Sequence, residues 1–281
     1  MSTESLDAVD PDAPAEEPAA GFFTAEGDVL IPADFATSPW GPVLHGRLIG
    51  GLTARAAEQA RAADPDLLCS RLTVDMFRSA PLAPIRVATR TIRSGRRIGV
   101  QEVTVEQEDG LIGQGKLVLL RRSEQPPGTL PAPPTWDAPT PAELGPPASP
   151  APGRRWSPSW QMWRLPGRQN PDGPGPALGG GSWLREIHPL VTGEPLTPLI
   201  RVGMAADLVS PMTNSSDQGL GFINADYTVY LGRAPHGEYV GIQPSAHISE
   251  LGVAAGHGVL YDERGAIGFA TTTAVANPRM P

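Results

Sequence analysis

Apolar residues follow two different periods along this chain, and the order of the periods repeats. Residues 44–60, "LHGRLIGGLTARAAEQA", carry an apolar stripe at helical spacing. Next, Leu72, Val74 and Met76 alternate with Thr73 and Asp75, which predicts a half-buried strand. "IRVATRTI" follows, then a turn at Ser94-Gly95, then "IGVQEVTVEQ". Asp109-Gly110 is a strong hairpin signal, and "LIGQGKLVLL" leads out of it. The second passage begins with "TPLIRVGMAADLVSPM", predicting a helix over 197–210 with Pro198 in its first turn and Pro211 as its stop. The strands "GFINADYTVYL", "GEYVGIQPSAHIS" and "GHGVLYD" come after it, then a turn at Glu263-Arg264-Gly265 and "AIGFATTTAVA".

Each passage is thus a helix followed by an antiparallel meander. Short matches strengthen the parallel: "DMFRSAP" (75–81) with "DYTVYLGRAP" (226–235), and "GLIGQG" (110–115) with "GAIGFA" (265–270). The expected class is α+β, two tandem units at residues 21–122 and 183–281, each with one helix wrapped by a curved antiparallel sheet. Residues 1–20 are acidic and rich in Ala and Pro, and predict a disordered tail. Residues 123–182 are dense in Pro and Gly and predict a linker lying along the surface, anchored by Trp136.

Charge and composition narrow the classes of function. A net charge of −8 argues against a nucleic-acid partner. The single cysteine, Cys69, excludes an internal disulfide and fits a small core residue in a reducing compartment. No segment has the length of a membrane span and no signal peptide is visible, so a cytoplasmic protein is expected. The five histidines lack ligand spacing, so no metal is expected. Neither a GxSxG elbow nor a phosphate or dinucleotide fingerprint occurs, so no cofactor is expected.

Candidate chemistry lies on the two helices. Gly46, Gly50 and Gly51 are unfavourable in a helix unless something must approach closely. Gly46 follows His45 at the helix mouth, where free N–H groups can polarise a carbonyl oxygen. Packing alone accounts for Gly50 and Gly51 and is an equal alternative at Gly46, and capping or packing would explain His45. Asp207 stands among Ala205, Ala206, Leu208 and Val209 in a helix that reads as buried all round. A carboxylate there needs a partner, either Arg201 or a strand arginine, or else serves as a base facing a cleft. Strict alternation places Asn224 and Asp226 on one face of their strand, and Thr271, Thr272 and Thr273 stand in a row on the last strand.

These segments resemble the double-hotdog acyl-CoA thioesterase family, the TesB-like group, from about residue 22 to 279 apart from the linker. "VLHGRLIGG" resembles that family's first-helix opening, and "AADLVSP" the segment with its catalytic Asp, here Asp207. "INADYTVYLGRAPHGEYV" resembles the next strand and carries the second polar group onto Asn224. In the closing hairpin, "LYDERGAIGFATTT", the family's Gln falls on Thr272, or on Thr273 if the turn is one residue longer. Threonine is a departure, being shorter than Gln. The resemblance implies a double hotdog that hydrolyses acyl-CoA to free acid and CoA, with water activated by Asp207, Asn224 and Thr272. Substrate contacts would come from His45, Gly46, Thr273 and Arg233, and CoA phosphates would lie near Arg93, Arg96 or Arg233. The alternative implied by the missing Gln is a non-catalytic acyl or acyl-CoA binding protein on the same fold. A hotdog hydratase would need an Asp/His pair on a loop, for which no match is found. The six tryptophans predict a hydrophobic surface and a homodimer or higher homo-oligomer.

Overall fold

The computed structural model describes residues 19–147, 158–167 and 178–277. The expected tail, apart from residues 19 and 20, and residues 148–157 and 168–177 of the expected linker lie outside the described residues.

The chain opens with a hairpin of β1 (Phe23–Glu26) and β2 (Val29–Pro32), then the short β3 (Thr37–Ser38) and β4 (Gly41–Leu44), and then helix α1 (Arg47–Ala63). Four long strands follow: β5 (Leu67–Met76), β6 (Ile85–Ser94), β7 (Ile98–Gln107) and β8 (Gly110–Arg121). A strap leads to the short helix α2 (Pro141–Leu144), to β9 (Trp160–Arg164) and to β10 (Ser182–Glu186). Next come α3 (Pro198–Ala205), a 3-10 turn at Ala206–Leu208, and α4 (Val209–Thr213). The pair β11 (Ser215–Ser216) and β12 (Gly219–Leu220), then the consecutive strands β13 (Phe222–Asn224) and β14 (Asp226–Leu231), lead to the meander β15 (Tyr239–Glu250), β16 (Val253–Asp262) and β17 (Gly265–Ala276).

Thirteen strands form one sheet, in the order β1-β2-β6-β7-β8-β5-β14-β17-β16-β15-β10-β9, with β13 also on β17. Read inward from either end, each half is an edge hairpin, a three-strand meander and a central strand. The halves join where β5 pairs antiparallel with β14, with Thr73 opposite Thr228 and their hydroxyls 3.2 Å apart. This is the double hotdog. Leu72 and Val74 of β5 are buried, as the alternation requires, and so is Cys69.

Helices α1 and α3 cross against the inner face of the sheet, and the glycines make the crossing possible. A Cβ on Gly50 would overlap Tyr227 Oη and the carbonyl oxygen of Gly203, while one on Gly203 would stand 2.7 Å from the carbonyl oxygen of Gly50. Tyr227 Oη donates to that Gly203 carbonyl at 2.8 Å. A Cβ on Gly51 would press on Met204 and Leu190 at 2.8 and 2.9 Å.

The sequence reading needs correction at three places. Pro211 does not stop the second helix: it lies inside α4. The 3-10 turn at Ala206–Leu208 interrupts the i→i−4 ladder, so Pro211 occupies a first turn, where a missing N–H breaks no intrahelical bond. Strand β9 falls inside 123–182, the stretch expected to be linker, and pairs along its whole length with β10. The described strap before it holds to the outer face. Trp136 stacks between Trp183 and Tyr261 at 5.2 and 5.0 Å, and Trp163 and Trp183 donate indole N–H groups to the carbonyls of Gly145 and Pro139. Finally, Asn224 and Asp226 do not share a face. From Asn224↔Ala274 to Thr228↔Thr271, four steps on one strand oppose three on the other, so an extra residue at Ala225 bulges out. Asn224 turns inward to Asp207, and Asp226 turns outward to accept from Thr273.

Candidate active site

Strand β4 delivers the chain to the mouth of α1. His45 N–H donates to Ala36 O at 2.9 Å, which fixes the entry. The first helical turn closes by Leu48 N–H to His45 O and Ile49 N–H to Gly46 O, each at 3.0 Å. Arg47 N–H leans on His45 Nδ1 at 3.4 Å. Gly46 N–H has no acceptor among the described residues, and it lies at the positive end of a 17-residue helix. A Cβ at Gly46 would overlap Met76 Sδ, so this glycine admits a close neighbour at the helix mouth.

Asp207 sits in the 3-10 turn between α3 and α4 and is only 6% exposed. Asn224 Nδ2 donates to its Oδ1 at 2.8 Å, and His45 Nδ1 stands 3.8 Å from its Oδ2. Burial pushes the carboxyl up to about 6, against the pull of the Asn224 hydrogen bond and the Arg47 charge. Burial, and next to it Arg47, holds His45 well below its ordinary value, so the imidazole is neutral near pH 7. The alternative partner for Asp207, Arg201, is committed elsewhere: it donates to Glu186 O at 3.0 Å and pairs with Glu238 at 3.5 Å.

Two cavities meet at this point, and Trp40, His45, Asp207 and Asn224 line both. The larger, about 1410 Å³, continues past Trp160, Met162, Leu208 and Phe222 to a polar wall with Gln243 and His247. The smaller, about 200 Å³, runs past Gly46 between Ile49, Met76, Phe77 and Ile112. Asp207 and Gly46 therefore face one opening, with an amide donor on one side and a carboxyl on the other.

Not every expected residue arrives there. Thr272 is buried, but its hydroxyl donates to Asp226 O at 2.8 Å, and it lines neither cavity. Thr273 is on the outer face with both N–H and hydroxyl donated to the Asp226 carboxylate. The bulge at Ala225 is the cause, since it turns Asp226 out to meet the strand beside it. Arg233 makes a two-pronged pair with the buried Asp262 and also donates to the Ala234, Gly265 and Ala266 carbonyls, so all five of its N–H groups are used and none is left for a phosphate. Arg93 and Arg96 are exposed and line neither cavity. Among the described residues, no group of three His, Cys, Asp or Glu is placed to hold a metal, and no helix is long and apolar enough to cross a membrane.

The sequence reading passed over Arg47 and Trp160. Arg47, fully buried at the start of α1, pairs through both nitrogens with Glu186 of β10, and its guanidinium lies 4.3 Å from the Trp160 ring. Trp160 also packs edge-on to His45 at 5.8 Å. The available signal for Arg47 was a cation at the wrong end of a helix.

Comparison with known proteins bears on this arrangement. The model of the acyl-CoA thioesterase N-terminal domain matches residues 36–120, and that of the C-terminal domain matches residues 131–276. No curated protein matches the chain. Among solved structures, a TesB protein from Mycobacterium avium subsp. paratuberculosis aligns with TM-score 0.61 at 15% identity, covering 91% of this chain and 96% of its own. An acyl-CoA thioesterase II from Mycobacterium marinum aligns with TM-score 0.56 at 16% identity, covering 91% and 95%. A conserved hot dog-fold protein from Alicyclobacillus acidocaldarius aligns with TM-score 0.61 at 18% identity, covering 91% and 95%. At these identities the likeness is one of fold.

Proposed function

The chain belongs to the acyl-CoA thioesterase family, and from that premise we propose that it hydrolyses acyl-CoA thioesters at the junction of the two cavities, with Asp207 as the general base. The observation that carries this reading is a buried carboxyl, in no ion pair with an arginine among the described residues, facing the bare Gly46 amide across one opening.

The thioester carbonyl oxygen lies against the Gly46 N–H, where the end of α1 supplies positive potential. Asp207, ionised above about pH 6, accepts a proton from water as the water oxygen bonds to the carbonyl carbon. Negative charge collects on the carbonyl oxygen. When the tetrahedral intermediate collapses, the C–S bond breaks and the proton held by Asp207 passes to the departing sulfur. The products are the free acid and the thiol of CoA, and Asp207 is again a carboxylate. Asn224 keeps the carboxylate turned toward the opening. Neutral His45 closes the other side at 3.8 Å from Asp207.

The test is release of free thiol from a panel of acyl-CoA thioesters differing in chain length, each measured from pH 5 to 9. Hydrolysis whose kcat/KM falls on the acid side with a midpoint near 6 is the expected result. Saturable binding of the same compounds without release turns the assignment to an acyl-CoA binding protein. A second expectation concerns Asn224→Ala. Losing the donor removes an interaction that favours the ionised carboxyl, so the acid limb moves to higher pH. The rate at pH 7 falls by about tenfold, the scale of one hydrogen bond to a charged group.

A further inference from the structure

Arg47 is an anomaly. It occupies the first position of α1, where the helix dipole repels a cation. It is fully buried, and its Nε has no acceptor among the described residues. It lines neither cavity, so it is not placed to touch substrate. What holds it is the second half of the protein: Glu186 of β10 on both terminal nitrogens, Ser159 Oγ at 3.2 Å, and the Trp160 ring at 4.3 Å, with Phe22 of the first half at 5.1 Å. Its own N–H rests on His45, which in turn faces Asp207.

We infer that Arg47, with its partner Glu186, is a positioning residue that fixes the mouth of α1 against the β9–β10 hairpin and supplies the charge that keeps Asp207 in its working form. The inference rests on the proposed role of Asp207 as base. The other polar groups facing Asp207 are few. His45 comes from the segment before α1, Asn224 from β13 and Tyr227 from β14. His45 is neutral, Asn224 carries no charge, and the buried Tyr227 hydroxyl, held well above its ordinary range, donates to Gly203 O. Arg47 is therefore the cation in the set, and its charge acts both to lower Asp207 and to keep His45 neutral.

Two variants separate charge from architecture because they move the base in opposite directions. Arg47→Gln combined with Glu186→Gln keeps a pair of hydrogen-bonding amides but deletes the cation together with its counter-charge, and the acid limb of kcat/KM is expected to rise, by less than the roughly 1–3 pH units that an unneutralised neighbouring cation supplies. Glu186→Gln alone leaves the cation less neutralised, and the limb is expected to fall. Thermal melts check that both variants remain folded. Arg47→Lys, which keeps charge but loses the two-pronged geometry, is expected to hold the limb in place while kcat drops. The Asp207 carboxyl is followed in parallel by carbon-13 NMR in the protein without substrate. If the single and double variants titrate as wild type does, the inference is overturned, whatever the activity. If wild type releases no thiol from any substrate, the hydrolase reading fails by itself, and opposite shifts in the NMR titration still support the charge role of Arg47.

Discussion

Asp207→Asn is expected to lower kcat/KM by about 10³-fold, within the range that a positioned general base contributes, and at the same time to make the protein more stable. Burial holds the Asp207 carboxyl up at about 6 in the folded protein, whereas the unfolded chain ionises near 4. Between those values the native state binds more protons than the unfolded state, so stability falls as pH rises from about 4 to about 6 and stays at the lower level above. An amide cannot ionise and escapes that loss. Above pH 7 the variant should therefore be more stable by something on the order of 2 kcal/mol, and near pH 4 the advantage should vanish. Denaturant titrations at pH 4.5 and 7.5, set beside thiol release, measure both effects. A variant that is inactive and equally stable at both pH values would mean that the carboxylate is solvated in the folded protein, against its burial.

A large effect on stability is expected at Gly50. A methyl there overlaps the Tyr227 hydroxyl and the Gly203 carbonyl, and a backbone oxygen on a packed helix has little room to retreat. Overpacking of this kind typically loses 1–3 kcal/mol, and displacing the Tyr227 donor from Gly203 O adds about 1–3 more. Alanine's better helix propensity returns under about 1 kcal/mol. Gly50→Ala is expected to lose about 3 kcal/mol, read as a lower urea midpoint. Adding Tyr227→Phe removes one of the two clashes, so the double variant should recover part of the loss. Additive losses would place the strain on the Gly203 carbonyl alone.

Much of this architecture was legible because it is written in local periods. Alternation found β5 and its buried Leu72 and Val74, Asp109-Gly110 marked a hairpin, and a carboxylate among alanines singled out Asp207. What escaped was whatever depends on one extra residue or on distant partners. No alternation pattern reveals the bulge at Ala225, and it decides that Asn224 reaches Asp207 while Asp226 and Thr273 face away. Strand β9 is only five residues long and lies in a proline-dense stretch, so "WQMWR" reads as loop. Pro211 looks like a stop unless a 3-10 turn restarts the helix before it. Arg47 and Glu186 stand 139 positions apart, and nothing near either names the other.

The twofold likeness of the halves has an unequal outcome. Exchanging α1 for α3 carries the Gly46 end to the Thr197 end, where an acid from the opposite helix, Glu58, again waits. But there Thr197 presents its own oxygen to Ile200 N–H at 3.3 Å and gives its hydrogen to Glu58 at 3.0 Å. One duplicate has become a latch, sealed by its own side chains. Its sibling, shorn to a hydrogen at the corresponding place, stays open.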